Sequence, residues 1–184
     1  MATTEKQLVR ACLDGQQDAQ QVLYGKYKAK MFGICLCYAK SREDAEDMLL
    51  DGFMKVFRDL GQFQFNGSLE GWIRKAMVNT ALMHLRKKHR FNFQTTGNEL
   101  LIEQVTVEPD TWQNIRVEAI IQLIQQLPIG YQTIFNLYAI EGFSHKEIGE
   151  QLDIKESTSR SQYTRARRAL QELFLAEEMS ETKT

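Results

Sequence analysis

The stretch Glu141-Gly-Phe-Ser-His-Lys-Glu-Ile-Gly-Glu-Gln-Leu-Asp-Ile-Lys-Glu-Ser-Thr-Ser-Arg-Ser-Gln-Tyr-Thr-Arg-Ala-Arg-Arg168 reads as a helix, a short turn and a second helix. Ser144 is a favourable N-cap, and Glu147 three residues later completes a capping box. Phe143 before the cap and Ile148 after it are placed as a hydrophobic staple. Ile148, Leu152 and Ile154 supply apolar contacts, and Asp153 sits where the chain must turn. The second helix carries Arg160, Arg165, Arg167 and Arg168, with Ser157, Thr158, Ser159, Ser161, Gln162 and Thr164 among them. Short polar side chains beside arginines suit a helix in a major groove. Hydroxyls and amides reach bases there, and guanidiniums reach phosphates or guanine. The alternative is an amphipathic helix with a solvated basic face. The capped helix, tight turn and basic second helix together favour DNA binding.

Outward from this stretch, 184 residues suffice for one ordinary domain or two small ones. A 43% hydrophobic content, two prolines and apolar residues at helical spacing predict an all-α protein. The net charge of −1 excludes a globally basic nucleic-acid binder, but charge is segregated. Residues 42–51 hold Glu43, Asp44, Glu46, Asp47 and Asp51 against Arg42; residues 155–168 hold Lys155, Arg160, Arg165, Arg167 and Arg168 against Glu156. Two oppositely charged partner surfaces follow. Cys12, Cys35 and Cys37 form no CxxC pair, so buried thiols in a reducing cytosol are expected rather than a metal site. No cofactor is expected. The amino terminus lacks the apolar core of a signal peptide and no run approaches a membrane span, so a cytoplasmic protein is expected.

Helices are predicted from Thr4 to about Leu13, from Asp18 to about Ala39, and from a cap at Ser41 through Leu60. In the second, Val22, Leu23, Tyr27, Met31, Ile34, Cys35 and Tyr38 have core-like spacing. A loop, Gly61 to Gly67, precedes a helix capped by Ser68 that ends in Arg86-Lys-Lys-His-Arg90. Residues 91–112 lose the helical period and read as a flexible linker between a first domain, 1–90, and a second, 113–184. Helical character returns near Trp112, with Ile115, Ala119, Ile120, Leu123, Ile124 and Leu127; Pro128 interrupts it and a helix Tyr131 to Glu141 follows. The acidic tail after Leu175 is expected to fray.

Asp44, Asp47 and Asp51 are spaced to share one helix face. Like charges there gain nothing from one another, which fits a basic partner; acids favoured by the helix dipole on a solvated face fit equally well. In the next loop, Phe63 and Phe65 stand near Asn66, Gly67 and Ser68, and the following helix carries Arg74, Lys75, Asn79, Arg86 and Lys87. That combination suits a stacking platform for unpaired bases with phosphate contacts alongside. Core packing is the alternative for each aromatic, and Trp72 lies on the buried stripe.

Asp44 to Phe57, Gly67 to Thr80, Leu127-Pro-Ile-Gly-Tyr131 and the helix-turn-helix occur in the order seen in bacterial extracytoplasmic-function sigma factors of the sigma-70 family, which the chain resembles over residues 5–90 and 113–175. The resemblance implies two helical domains joined by a linker. It assigns Asp44, Asp47 and Asp51 to contacts with core RNA polymerase. Phe63, Phe65, Asn66, Gly67, Ser68 and Asn79 would capture a flipped base of the melted minus-ten element, with Arg74, Lys75, Arg86 and Lys87 on the strand backbone. Thr158, Arg160, Ser161, Gln162, Arg165 and Arg168 would read the minus-thirty-five duplex. A cognate anti-sigma factor is a further implied partner. Two departures stand in the turn: Asp153 and Ser157 where members often carry Gly, and Lys155 in place of a good cap, which leaves the register of the recognition helix open by a residue or two.

A free-standing helix-turn-helix regulator would leave the acidic helix and aromatic loop unexplained. An enzyme has less support: His84, His89 and His145 fall in no HExxH or comparable motif and read as solvated surface histidines.

Overall fold

The computed structural model describes residues 4–89 and 115–181, and the chain divides into two compact units, 1–88 and 89–184. The expected linker, 91–112, and Trp112 lie outside the described residues. Among the described residues there is no strand, and no helix is long and apolar enough to cross a membrane.

The first unit holds α1 (Glu5–Leu13), α2 (Gln17–Tyr38), α3 (Arg42–Asp59), a 3-10 turn (Leu60–Gln62) and α4 (Leu69–His89). Three helix starts are fixed by hydroxyl caps. Thr4 and Gln7 form a reciprocal capping box on α1, the Ser41 hydroxyl accepts from the Asp44 N–H at 3.2 Å, and the Ser68 hydroxyl accepts from the Gly71 N–H at 3.0 Å. The α2 positions Ala19, Leu23, Tyr27, Met31, Cys35 and Tyr38 recur at helical spacing and are buried, with α3 packed against α2. Val22 lies off this stripe and is 58% exposed, so its expected core role fails. Leu60, Leu69, Ile73 and Met77 complete a continuous apolar core. All three cysteines are buried; burial, with Cys37 close by, pushes the Cys35 thiol up to about 12.

The second unit holds α5 (Ile115–Gln126), α6 (Ile129–Phe135), a π turn (Asn136–Ile140), α7 (His145–Leu152) and α8 (Glu156–Glu181). Pro128 starts α6 two residues earlier than expected, and the expected single helix to Glu141 gives way to the π turn. The Ser144–Glu147 capping box forms as expected. Asp153 adopts the left-handed conformation (φ 57°, ψ 49°) that ends α7, and the Ile154 N–H donates to the Gly149 carbonyl at 2.9 Å. The recognition helix α8 begins at Glu156, immediately after Lys155, and runs past Leu175 to Glu181. Leu123, Ile124, Leu127, Ile134, Leu137, Ile148, Leu152 and Ala166 form the core, and Ile120 is 55% exposed.

Candidate nucleic-acid and protein interfaces

The face that α8 buries carries polar side chains as well as alanine. Ser159, Gln162 and Ala166 are spaced i, i+3, i+7 and are all buried. Gln162 is therefore removed from the expected base-reading set: its side chain is 3% exposed and turned into the unit, out of reach of a groove. The burial is legible in hindsight by counting back from Ala166 in steps of three and four. Arg160, Ser161, Arg165 and Arg168 are exposed and Thr158 is half-buried, so these remain available. Arg160 pairs with Glu156 and Arg168 with Glu172, both at i, i+4. Such exposed pairs contribute about 0.3–0.5 kcal/mol each and yield readily to phosphate. The Ser161 and Thr164 hydroxyls donate to carbonyls of their own helix at 3.0 Å.

Ser159 is buried because it has a partner. His145 Nδ1 lies 3.0 Å from Ser159 Oγ, joining the first residue of α7 to the recognition helix. The imidazole stacks on Tyr138 at 4.2 Å and 9°, and Tyr163 approaches both rings. The π turn delivers Tyr138 to this stack. His145 is thus a buried interhelical link, not the solvated histidine expected. Burial, then the Arg160 guanidinium, pull its pKa below the ordinary 6.5, opposed by Glu156. The unfolded chain consequently binds more protons at low pH, and this contribution to stability is full above about 6.5 and is lost as pH falls through the lowered value. We expect the melting temperature of the helix-turn-helix unit to drop on acidification below about pH 6.5, and His145→Phe to flatten that drop, as followed by thermal melts. An identical pH slope in the variant would remove His145 as its source.

In the first unit the two loop phenylalanines divide. Phe63 is 7% exposed and packs on Trp72 at 5.8 Å, so it is core and leaves the expected base-contact set. Phe65 is 40% exposed, lies against Phe63 at 4.8 Å with the rings tilted by 54°, and holds φ 57°, a left-handed conformation rare for a bulky side chain. Gly67 follows at φ 104°, where a side chain would be strained. Asn66, Gly67 and Ser68 are exposed. On α4, Lys75, Asn79 and Arg86 align along one face with Lys87 beside them; Arg74 and Asn79 are half-buried and the other three exposed. Met83, which the sequence reading missed, is 58% exposed on that face, four residues after Asn79.

On α3, Asp47 and Asp51 are exposed and Asp44 is half-buried. His84 Nε2 of α4 lies 2.7 Å from Asp51 Oδ2, so one of the three carboxylates is already tied to α4. Leu50 and Met54, 60% and 64% exposed, lie on the same helix.

A helix-turn-helix with exposed arginines, and a separate helical unit presenting aromatics, cations and acids, define a DNA-binding transcription protein. Residues 23–91 match the family model described as Sigma-70 region 2, and residues 117–170 match Sigma-70, region 4. The chain belongs to the sigma-70 family, in its extracytoplasmic-function branch. It is 27% identical over 176 residues to the RNA polymerase sigma-H factor of Pseudomonas aeruginosa, covering 90% of this chain and 91% of that protein. To the ECF RNA polymerase sigma-E factor of Haemophilus influenzae it is 26% identical over 181 residues, covering 91% and 94%. Among solved structures, the sigma factor RpoE in complex with the anti-sigma factor NepR from Bartonella quintana aligns at a TM-score of 0.55 and 21% identity, over 84% of this chain and 95% of that one. That likeness establishes the shared fold. The family consists of transcription regulators rather than enzymes.

Proposed function

We propose that the chain is a dissociable initiation factor: an alternative sigma factor that binds core RNA polymerase, places α8 on upstream duplex and traps melted minus-ten bases with its first unit. The observation that carries this reading is the pairing, in one chain, of a basic helix-turn-helix with an exposed acidic face and a strained, outward-facing aromatic loop. Thr158, Arg160, Ser161, Arg165 and Arg168 serve the duplex. Phe65, Asn66, Gly67, Ser68 and Asn79 serve the unpaired base, while Arg74, Lys75, Arg86 and Lys87 hold the strand. Asp44, Asp47 and Asp51 serve the polymerase.

Flipping a base out of the stack costs a few kcal/mol, and stacking on an aromatic returns about 1–3 kcal/mol. Trapping is then near balance and depends on tethering to polymerase, which a chain of net charge −1 needs for tight DNA binding. The Bartonella relative was solved with an anti-sigma factor, and a partner of that kind, in the cytoplasm, is proposed here too.

The test is run-off transcription on fragmented chromosomal DNA with core polymerase, with and without the chain. We expect discrete new start sites preceded by two shared, fixed-spacing elements. Duplex binding by the chain alone, with no new starts, would instead identify a free-standing regulator.

A further inference from the structure

Helix α1 precedes residues 23–91, which match the region 2 model, yet it packs on the 3-10 turn and reaches the following loop through Lys6. At its C-terminal end the Leu13 side chain lies 3.7 Å from where a Cβ on Gly61 would stand. At its N-terminal end Lys6 Nζ lies over the Phe65 ring, 5.6 Å from the centroid. Lys6, Arg10 and Leu13 are spaced i, i+4, i+7 and share one face of α1. One end of that face meets the 3-10 turn and the other meets Phe65, with Arg10 one helical turn along from Lys6. Lys6 and Arg10 are exposed.

The ring beside Lys6 is the one held at φ 57° and 40% exposed, with Phe63 behind it. A bulky residue persists in that backbone region only where its surroundings over-determine it, and such strain concentrates at ligand clamps. A base stacked on an exposed ring brings its own phosphate to the ring's edge. Sites for unpaired strands accordingly combine an aromatic with flanking cations that track the backbone. Here Lys6 lies over the ring and Arg10 follows one turn along the same helix face, and both come from outside the matched family region.

We infer that Lys6 and Arg10 form a phosphate-holding edge of the single-strand site, an inference that rests on the sigma-factor reading above. Their ligand is the sugar-phosphate backbone of unpaired DNA, irrespective of base identity, while the loop takes the base itself.

The experiment uses holoenzyme assembled from the full chain and core polymerase. Its probe is a fluorescein-labelled single-stranded DNA of about twelve nucleotides, selected from a random pool by the wild-type holoenzyme. Each phosphate contact on single strands contributes about 0.7 to the slope of log affinity against log salt. Lys6→Ala with Arg10→Ala should lower that slope by about 1.4, so that the affinity lost between about 50 and 200 mM salt shrinks about sevenfold. Lys6→Arg with Arg10→Lys should restore the slope. Phe65→Ala is the reference variant, weakening binding at every salt concentration without changing the slope. If Phe65→Ala weakens binding but the double alanine variant keeps the wild-type slope, the role of α1 is overturned while base trapping stands. If neither changes binding, the base-trapping reading falls and takes this inference with it.

Discussion

Reversing two charges on α3, with Asp47→Lys and Asp51→Lys together, is expected to abolish co-elution of the chain with core RNA polymerase. Both side chains are exposed, and at i, i+4 they repel one another by a few tenths of a kcal/mol. The two carboxylates gain nothing from each other, whereas a basic partner surface would reward both. Setting like charges against each other at an interface costs several kcal/mol, so two reversals should weaken binding by at least about 100-fold. Asp51 complicates the double variant because it also holds His84. Asp47→Lys alone leaves that bond intact and should still lose about tenfold. Asp51→Asn, which keeps the shape, separates the loss of charge from the loss of the interhelical contact. Binding of minus-thirty-five duplex by the chain alone should not change. Equal co-elution of wild type and double variant would leave the acidic face without its assigned partner.

Gly149→Ala should be the most disruptive small substitution in the second unit. A Cβ there would stand 2.8 Å from the Ile154 carbonyl oxygen and 3.5 Å from the Glu156 nitrogen, both backbone atoms that cannot swing aside. The corner between α7 and α8 has to open, at about 1–3 kcal/mol for an overpacked site. In a unit of this size each kcal/mol lowers the melting temperature by roughly 4–8 °C. Duplex binding should fall in parallel, because the same corner sets the direction of α8. Gly52→Ala in the first unit is the informative contrast. Its Cβ would meet the end of the Met77 side chain, which can rotate away, so a smaller shift is expected. A wild-type melting profile for Gly149→Ala would show that the corner is looser than its geometry indicates.

Features governed by local chemistry were readable in the sequence. The Ser144–Glu147 box, the turn at Asp153 and the caps at Ser41 and Ser68 depend on a few neighbouring side chains, and each formed where expected. Features decided by packing were not. Phe63 and Phe65 are two residues apart in one loop, and only the left-handed backbone at Phe65, which no glycine or asparagine announces, turns one outward. The π turn leaves no composition signal, since Asn136-Leu-Tyr-Ala-Ile140 suits an ordinary α-helix equally well. The polar residues Ser159 and Gln162 looked like groove contacts because burial of a polar group depends on a partner elsewhere in the chain. For Ser159 that partner is His145, fourteen residues earlier. Hydrophobic spacing also misplaced Val22, an apolar side chain that a surface tolerates singly.

The seam beneath the recognition helix behaves mechanically unlike an oily one. Apolar surfaces attract without regard to angle, so two helices joined only by them can slide or roll by a fraction of a turn at little expense. A hydrogen bond is directional and weakens steeply once bent. With alanine, serine and glutamine on the inner face of α8, and one imidazole–hydroxyl bond closing it, the helix is indexed like a key by a pin. Its angular setting, which decides which arginines turn outward, is thereby held in part by a directional contact on the buried side of the helix.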